Sequence, residues 1–394
     1  MTDPGHLEQP LSPHHPPHPP EGRGLFGFGR RVLFALAAPA IAIGFAFVLS
    51  SAVLIWSGSN PLEAYWAMIR NGGRLEVIVD MLNRATPLYL SGIAAAIGFR
   101  MNLFNIGVEG QYRLGAFFAA IVGANIVLPS ILHVTVIVLV AMLVGAAWSG
   151  LAGWLKVARG VNEVISTIML NLIAISGVLA WLTVELRDGP LTPNSGTKYI
   201  PASGRLPDLN SWVEVFSREI IGGRHLSAVL LLAIAGGIVY HLFINRTRLG
   251  FDLRATGYNP GAARAGGVRA DRMVVMAMVY SGAMAGLIGL VDILSRNYRF
   301  DAEFRPGLGF AGIAVALLGR NHAVGIAIGA MLFAFMDVSS PILQITGAAT
   351  REIVIIMQGT ILLAAVVAYE SVRRYRERDE AKRAAAALAE GEAA

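Results

Sequence analysis

Residues 114–155 read LGAFFAAIVGANIVLPSILHVTVIVLVAMLVGAAWSGLAGWL, with no Asp, Glu, Lys or Arg among them. A helix needs about 20 predominantly apolar residues to cross the hydrocarbon core of a bilayer. The stretch is long enough for two crossings, and Pro129-Ser130 marks the break between them. Residues 32–56, VLFALAAPAIAIGFAFVLSSAVLIW, are also free of charge and suffice for another crossing. Of the 394 residues, 55% are hydrophobic and 15% charged, and the mean hydropathy is +0.58. Such a composition belongs to repeated transmembrane helices rather than to a soluble globular domain.

The apolar windows predict an all-α, polytopic membrane protein of about ten spans. They fall near 32–56, 85–99, 105–128, 131–155, 162–185, 226–245, 273–293, 308–319, 322–340 and 352–369. Windows 85–99 and 308–319 are too short for simple crossings and read as tilted or broken helices lining a cavity. The densest Lys/Arg clusters, in 246–272 and after 370, place both termini in the cytoplasm. Spans two to five and seven to ten form two four-helix blocks offset by five spans, and an odd offset inverts one block relative to the other. GFRMNLFNIGVEGQYRLGAFFAAIV at 98–122 loosely echoes GFAGIAVALLGRNHAVGIAIGAMLF at 309–333.

Three regions follow: a Pro/His-rich, disordered cytoplasmic tail over 1–30, a membrane domain over 31–370, and a cytoplasmic extension over 371–394. His6, His14, His15 and His18 in the tail read as low-complexity solvated residues ahead of a metal site. The external loop 186–225 is rich in Pro, Gly, Ser and Asn, which mark turns. It fits a cap on the entrance, a partner contact or a plain connection.

The chain has no cysteine, which excludes disulfides, thiolate metal sites and cysteine nucleophiles. It contains no HExxH, GxSxG or Walker A sequence and no His/Asp/Glu cluster at metal spacing. No catalytic residue, metal or cofactor is expected in this chain. Any energy for uphill transport must come from an ion gradient or another subunit.

Loop 246–272, RTRLGFDLRATGYNPGAARAGGVRADR, carries a short helix signal. Asn259 reads as the N-cap and Pro260 as the first helical residue, with Gly266-Gly267 as the stop. Its small residues permit close docking, which points to a contact for a cytoplasmic partner.

Polar residues inside apolar windows mark a pathway or helix packing. Candidates for the substrate pathway are Asn105, Glu109, Gln111, Asn171 and Gln358. Three roles fit Glu109: an interfacial partner of Arg100 or Arg113, a cavity-lining residue at a helix break by Gly107 and Gly110, or a packing hydrogen bond. Asn162 and Glu163 fit the start of a helix, while Asn171 is too deep for a cap and fits an interhelical hydrogen bond. Asp292, Asp337 and Glu352 read as interfacial, and Trp148, Trp154 and Trp181 as membrane-interface anchors.

Five stretches occur in register: FNIGVEGQ (104–111), GVNEVISTIMLNLIA (160–174), RATGYNPGAARAGGVRADR (254–272), SGAMAGLIGL (281–290) and GFAGIAVALLGRNHAVGI (309–326). Together they resemble the permease subunits of bacterial ABC importers for nucleosides and simple sugars, within the branched-chain amino acid and ribose permease superfamily. The resemblance implies a multi-pass protein of the bacterial inner membrane, paired with a second permease subunit. It implies ATP bound on cytoplasmic ATPase subunits and an external substrate-binding protein. It also makes 254–267 a coupling helix against the ATPase, with Arg254, Gly257, Asn259, Pro260, Ala262, Ala263 and Gly266 as contact residues. An ion-coupled secondary transporter of a small polar solute is the alternative that the residues alone leave open.

Overall fold

The structure, a computed structural model, describes residues 44–364 except 46, 191, 193–194, 211, 213–220, 302–303, 346, 348–349 and 351, together with 367 and 374. The expected tail over 1–30 and extension over 371–394 therefore lie outside the described residues, apart from Arg374. Among the described residues the protein is helical, with two isolated antiparallel bridges, Gly196 with Asp301 and Asp208 with Ser227.

In chain order the helices are α1 (Phe47–Trp56), α2 (Pro61–Gly72), α3 (Leu75–Arg100), α4 (Val108–Asn125) and α5 (Ser130–Arg159). Helix α6 (Glu163–Leu172) continues through a π-helical segment, Ile173–Leu179, into α7 (Ala180–Glu185). Then come α8 (Val229–Arg246), α9 (Arg248–Tyr258), α10 (Pro260–Ala265), α11 (Ala270–Gly286), α12 (Leu308–Leu318), α13 (Ala323–Ile345) and α14 (Glu352–Ala364). Among the described residues, four helical segments are long and apolar enough to cross a membrane: Ser130–Arg159, Glu163–Glu185, Val229–Arg246 and Ala323–Ile345.

Two expectations from apolar windows need correction. The window at 85–99 is not a short helix. Helix α3 starts ten residues earlier and carries Glu76, Asp80 and Arg84 in its first turns. Those charges are tolerated because they face a polar cavity rather than lipid. Helix α2, which no apolar window marked, is capped by Asn60, whose side chain accepts the Leu62 amide, and opens on Pro61. By contrast α12 is as short as expected: 11 residues rise about 16 Å, half a bilayer. Trp148 also departs from its expected place. It is packed against the core, and its indole donates to the Leu170 carbonyl at 3.3 Å.

The core is built by cross-packing. Helix α3 packs on α12 and α13, while α11 packs on α4 and α5. The α5–α11 crossing is close because both faces are made of small residues. A Cβ placed on Gly145 would stand 2.2 Å from the Gly282 carbonyl, and one on Gly282 would stand 2.2 Å from the Gly145 carbonyl. With little hydrophobic drive between helices in lipid, this close backbone contact supplies the packing. The 98–122 and 309–333 stretches are not structural counterparts. The first spans the end of α3 and most of α4, whereas the second spans α12, a turn and the start of α13. A better match follows α3 and α11: the left-handed residues Asn102 and Tyr298 stand two positions beyond Arg100 and Arg296, before α4 and α12 begin.

Candidate functional site

The first turns of α4 and α12 meet inside the protein. Glu109, 3% exposed, lies in the first turn of α4. Its Oε1 accepts the Gly307 amide at 2.8 Å and its Oε2 the Gly309 amide at 2.9 Å, both from the start of α12. The Tyr112 hydroxyl stands 3.0 Å from Oε1 and 2.5 Å from the Arg305 carbonyl, and Arg113 Nε lies 3.3 Å from Oε1. One carboxylate thus satisfies backbone donors of a second helix and faces the positive end of both. Gly309 is required here, because a Cβ on it would lie 2.5 Å from the Glu109 nitrogen.

Next to this junction Asn105 and Gln111 pair through both side-chain amides, at 3.0 and 2.9 Å. Asn105 also donates to Ser281 Oγ at 2.8 Å and Ser149 Oγ at 3.3 Å, and accepts the Gly107 amide at 3.0 Å. Asn171 accepts the Gly110 amide at 2.8 Å and donates to the Ile106 carbonyl at 2.7 Å. These buried side chains close the loop before α4 onto α5, α6 and α11 by hydrogen bonds. Four of the five residues expected along a pathway therefore hold helices together in this conformation, and none of the four lines a described cavity. For Glu109 the arginine partner and the packing bond both occur, deep in the protein.

A large cavity, about 1030 Å³, lies toward the start of α3 and is walled by α3, the segment after α11, α13 and residues 206–208 and 223–227. Arg84 Nε pairs with Asp337 Oδ2 at 2.6 Å, and Gln358 of α14 donates to Asp337 Oδ1 at 2.8 Å. Gln358, the fifth pathway candidate, thus reaches the cavity wall through Asp337. Arg224 pairs with Asp80 at 2.6 Å and Glu76 at 3.4 Å. Asp292 opens a π-helical turn, Asp292–Arg296, on the same wall. Apolar windows put Asp292 and Asp337 at span ends, where they read as solvated. Only the fold, which brings α3 against α13, shows them sharing one chamber.

Residues 196–200 pair with the segment after α11. The Thr197 amide donates to the Phe300 carbonyl and the Ile200 amide to the Tyr298 carbonyl, both at 2.8 Å. The buried His133 is held by Ser203 and the Gly123 carbonyl, each at 2.9 Å.

Arg84 and Arg100 are separated by about 24 Å of helix, and α9 and α10 sit at the Arg100 end. Asn259 caps α10, its Oδ1 accepting the Ala262 amide at 3.0 Å, and Gly266 ends the helix. Tyr258, Pro260 and Ala262 are exposed, while Ala263 is buried. Gly257 instead faces inward: a Cβ on it would lie 2.6 Å from Met101 Cα. Arg254 donates to Asn245 Oδ1 at 3.0 Å. At the same end Arg100 and Tyr240 both donate to the Asn321 carbonyl, at 2.8 and 2.7 Å. His322 lies beside Arg100, and partial desolvation together with Arg100 and Arg320 holds the imidazole below its ordinary pKa.

Residues 77–366 match the family described as the permease component of the branched-chain amino acid transport system. A glucose ABC transporter permease of Haloferax volcanii is 31% identical, over 87% of this chain and 90% of its own length. A guanosine ABC transporter permease of Bacillus subtilis is 32% identical over 85% of this chain and 94% of its own. A nucleoside ABC transporter permease of Lactococcus lactis is 30% identical, with 83% and 90% covered. No solved structure matches the chain significantly. Apolar spans, a polar chamber inside them and matches over nearly whole chains lead to one conclusion: this chain belongs to the membrane-embedded permease family of the branched-chain amino acid transport systems.

Proposed function

We propose that this chain is the permease subunit of an ATP-driven importer for nucleosides or related simple sugars. Identity of 30–32% to glucose, guanosine and nucleoside permeases, over at least 90% of their lengths, carries this reading. The protein crosses the bacterial inner membrane about ten times, with both termini and α9–α10 in the cytoplasm. The four helices from α3 and the four from α11 form inverted blocks, and the starts of α4 and of the half-length α12 meet at Glu109. Its partners are a second permease subunit, two cytoplasmic ATPase subunits that bind ATP, and an external substrate-binding protein.

The geometry supports a route for coupling. Exposed Tyr258, Pro260 and Ala262 meet the ATPase, while Gly257 rests on Met101 at the start of the loop that leads to Asn105 and Glu109. A shift of α9 then displaces the α4–α12 junction, and the chamber beyond it opens or closes. Arg84 and Asp337 join the two blocks across that chamber. Uptake of labelled guanosine and glucose by cells carrying the whole importer tests the reading. Uptake must require this chain and be competed by unlabelled nucleoside or sugar. Competition by branched-chain amino acids alone would refute it.

A further inference from the structure

Every acidic side chain on the wall of the large cavity has a partner in hydrogen-bond range except one. Glu76 and Asp80 are bound by Arg224, Asp208 by His225, and Asp337 by Arg84 and Gln358. Asp292 has no hydrogen-bond donor among the described residues, and its nearest cation, Arg296, is 4.0 Å away. Its side chain is only 9% exposed, and what is exposed faces the cavity.

Its oxygens open on the cavity, so their donors must come from whatever occupies it. What it lacks narrows the answer. Arg296, the nearest countercharge, stands 4.0 Å away, beyond hydrogen-bond reach. Hydrogen-bond donors are missing, and the bonds made by the polar groups of the wall go elsewhere. Ser227 donates to Ser295 Oγ, and Asn83 is bound to the Ser227 amide and the His225 carbonyl. The backbone is also shaped locally, because Asp292 begins a π-turn closed by the Asn297 amide at 2.7 Å. π-Turns inside α-helices occur frequently at functional sites.

We infer that Asp292 is the hydroxyl-recognising residue of this permease, accepting hydrogen bonds from a neutral polyhydroxylated solute in the cavity. The inference rests on the reading above of nucleosides or simple sugars and assigns their hydroxyls a specific acceptor. The cavity's arginines and carboxylates are five each, Arg74, Arg84, Arg224, Arg296 and Arg305 against Glu76, Asp80, Asp208, Asp292 and Asp337. That balance gives neither a phosphorylated solute nor a cation a countercharge.

The test uses the complete importer in proteoliposomes, with its binding protein saturated so that the binding protein's preference drops out. Initial rates are compared for guanosine against dideoxyguanosine and for glucose against deoxyglucose. Wild type should move the fully hydroxylated solute about tenfold faster, the worth of one hydrogen bond to a charged acceptor. Asp292→Asn should abolish that preference by slowing the hydroxylated solute alone. If wild type moves neither guanosine nor glucose, the substrate reading falls and this inference with it. If wild type moves one of them and Asp292→Asn slows both analogues equally or neither, the inference alone falls. The wild-type comparison stands even where the variant fails to assemble, since equal rates for the two analogues overturn the assignment. A rate that follows an external cation and ignores the hydroxyls overturns it too.

Discussion

The Glu109 carboxylate accepts the Gly309 amide at 2.9 Å, so the first turn of α4 holds the first turn of α12 across 200 residues of sequence. Both helices start inside the protein, where water cannot satisfy their leading amides. A glutamate that is expensive in lipid becomes the least costly solution when two helix starts converge on it.

Glu109→Ala should therefore destabilise the protein strongly. It orphans the Gly307 and Gly309 amides and removes the ion-pair partner of Arg113. At about 1–3 kcal/mol for each buried group left unpaired, the loss is roughly 3–5 kcal/mol. Glu109→Gln keeps one acceptor oxygen and should lose less. Thermal unfolding in detergent measures both; identical midpoints for wild type and the Ala variant would remove this role.

Much of this was legible in sequence, for identifiable reasons. Asn259-Pro260 and Gly266-Gly267 are local signals, and α10 forms between them as read. Asn162 likewise caps α6, and Asn171 makes an interhelical bond. Long-range pairing was not legible. Nothing near Arg84 in sequence points to Asp337, and the charges of α3 hid its first turns from a search for apolar windows. Gly257 misled in the other direction. It lies in the coupling segment, yet its lack of a side chain serves contact with Met101 inside the protein.

The Arg84–Asp337 pair should be energetically coupled. Both side chains are about three-quarters buried and meet at 2.6 Å. Removing either partner leaves the other facing an uncompensated field, so each alanine variant should be worse than the double variant implies. A double-mutant cycle on thermal stability should return a coupling of about 1–2 kcal/mol. Additive losses would mean that the pair carries no interaction of its own.

Gly145→Ala should separate α5 from α11. The added methyl has the Gly282 carbonyl at 2.2 Å, a backbone atom that cannot rotate away. Overpacking of this kind costs about 1–3 kcal/mol. Gly177→Ala is the matched control, because nothing lies within 4 Å of its Cβ position. A protein that unfolds at the same temperature with either alanine would contradict the close crossing.

Acid should weaken the α12–α13 turn through His322. Partial desolvation, Arg100 and Arg320 hold the folded imidazole below its ordinary pKa, so the unfolded chain binds the proton first. Stability is then complete above about pH 6.5 and declines as the pH falls through the ordinary histidine value toward the folded one. The side chain is largely exposed, so screening keeps the effect small. His322→Gln should flatten the decline in melting temperature between neutral and mildly acidic buffer. A slope unchanged by the substitution would assign the acid sensitivity elsewhere.

The coupling surface separates into two classes of residue, and substitution should tell them apart. Ala262 and Tyr258 are exposed at the α10 end and touch little of the permease itself. Ala262→Glu should leave the melting temperature of the isolated permease within about 1 °C, because exposed substitutions away from special features change stability by less than about 0.5 kcal/mol. It should nonetheless abolish recovery of the ATPase with the permease, since a charge placed in a close contact must be desolvated without a partner. Gly257→Glu differs, because its side chain would collide with Met101 and push α9 off the protein. That variant should lose stability before any question of ATPase binding arises. Purifying the complex and melting the permease alone, for both variants, measures the two effects independently. Undiminished ATPase recovery with Ala262→Glu would place the coupling contact somewhere other than α10.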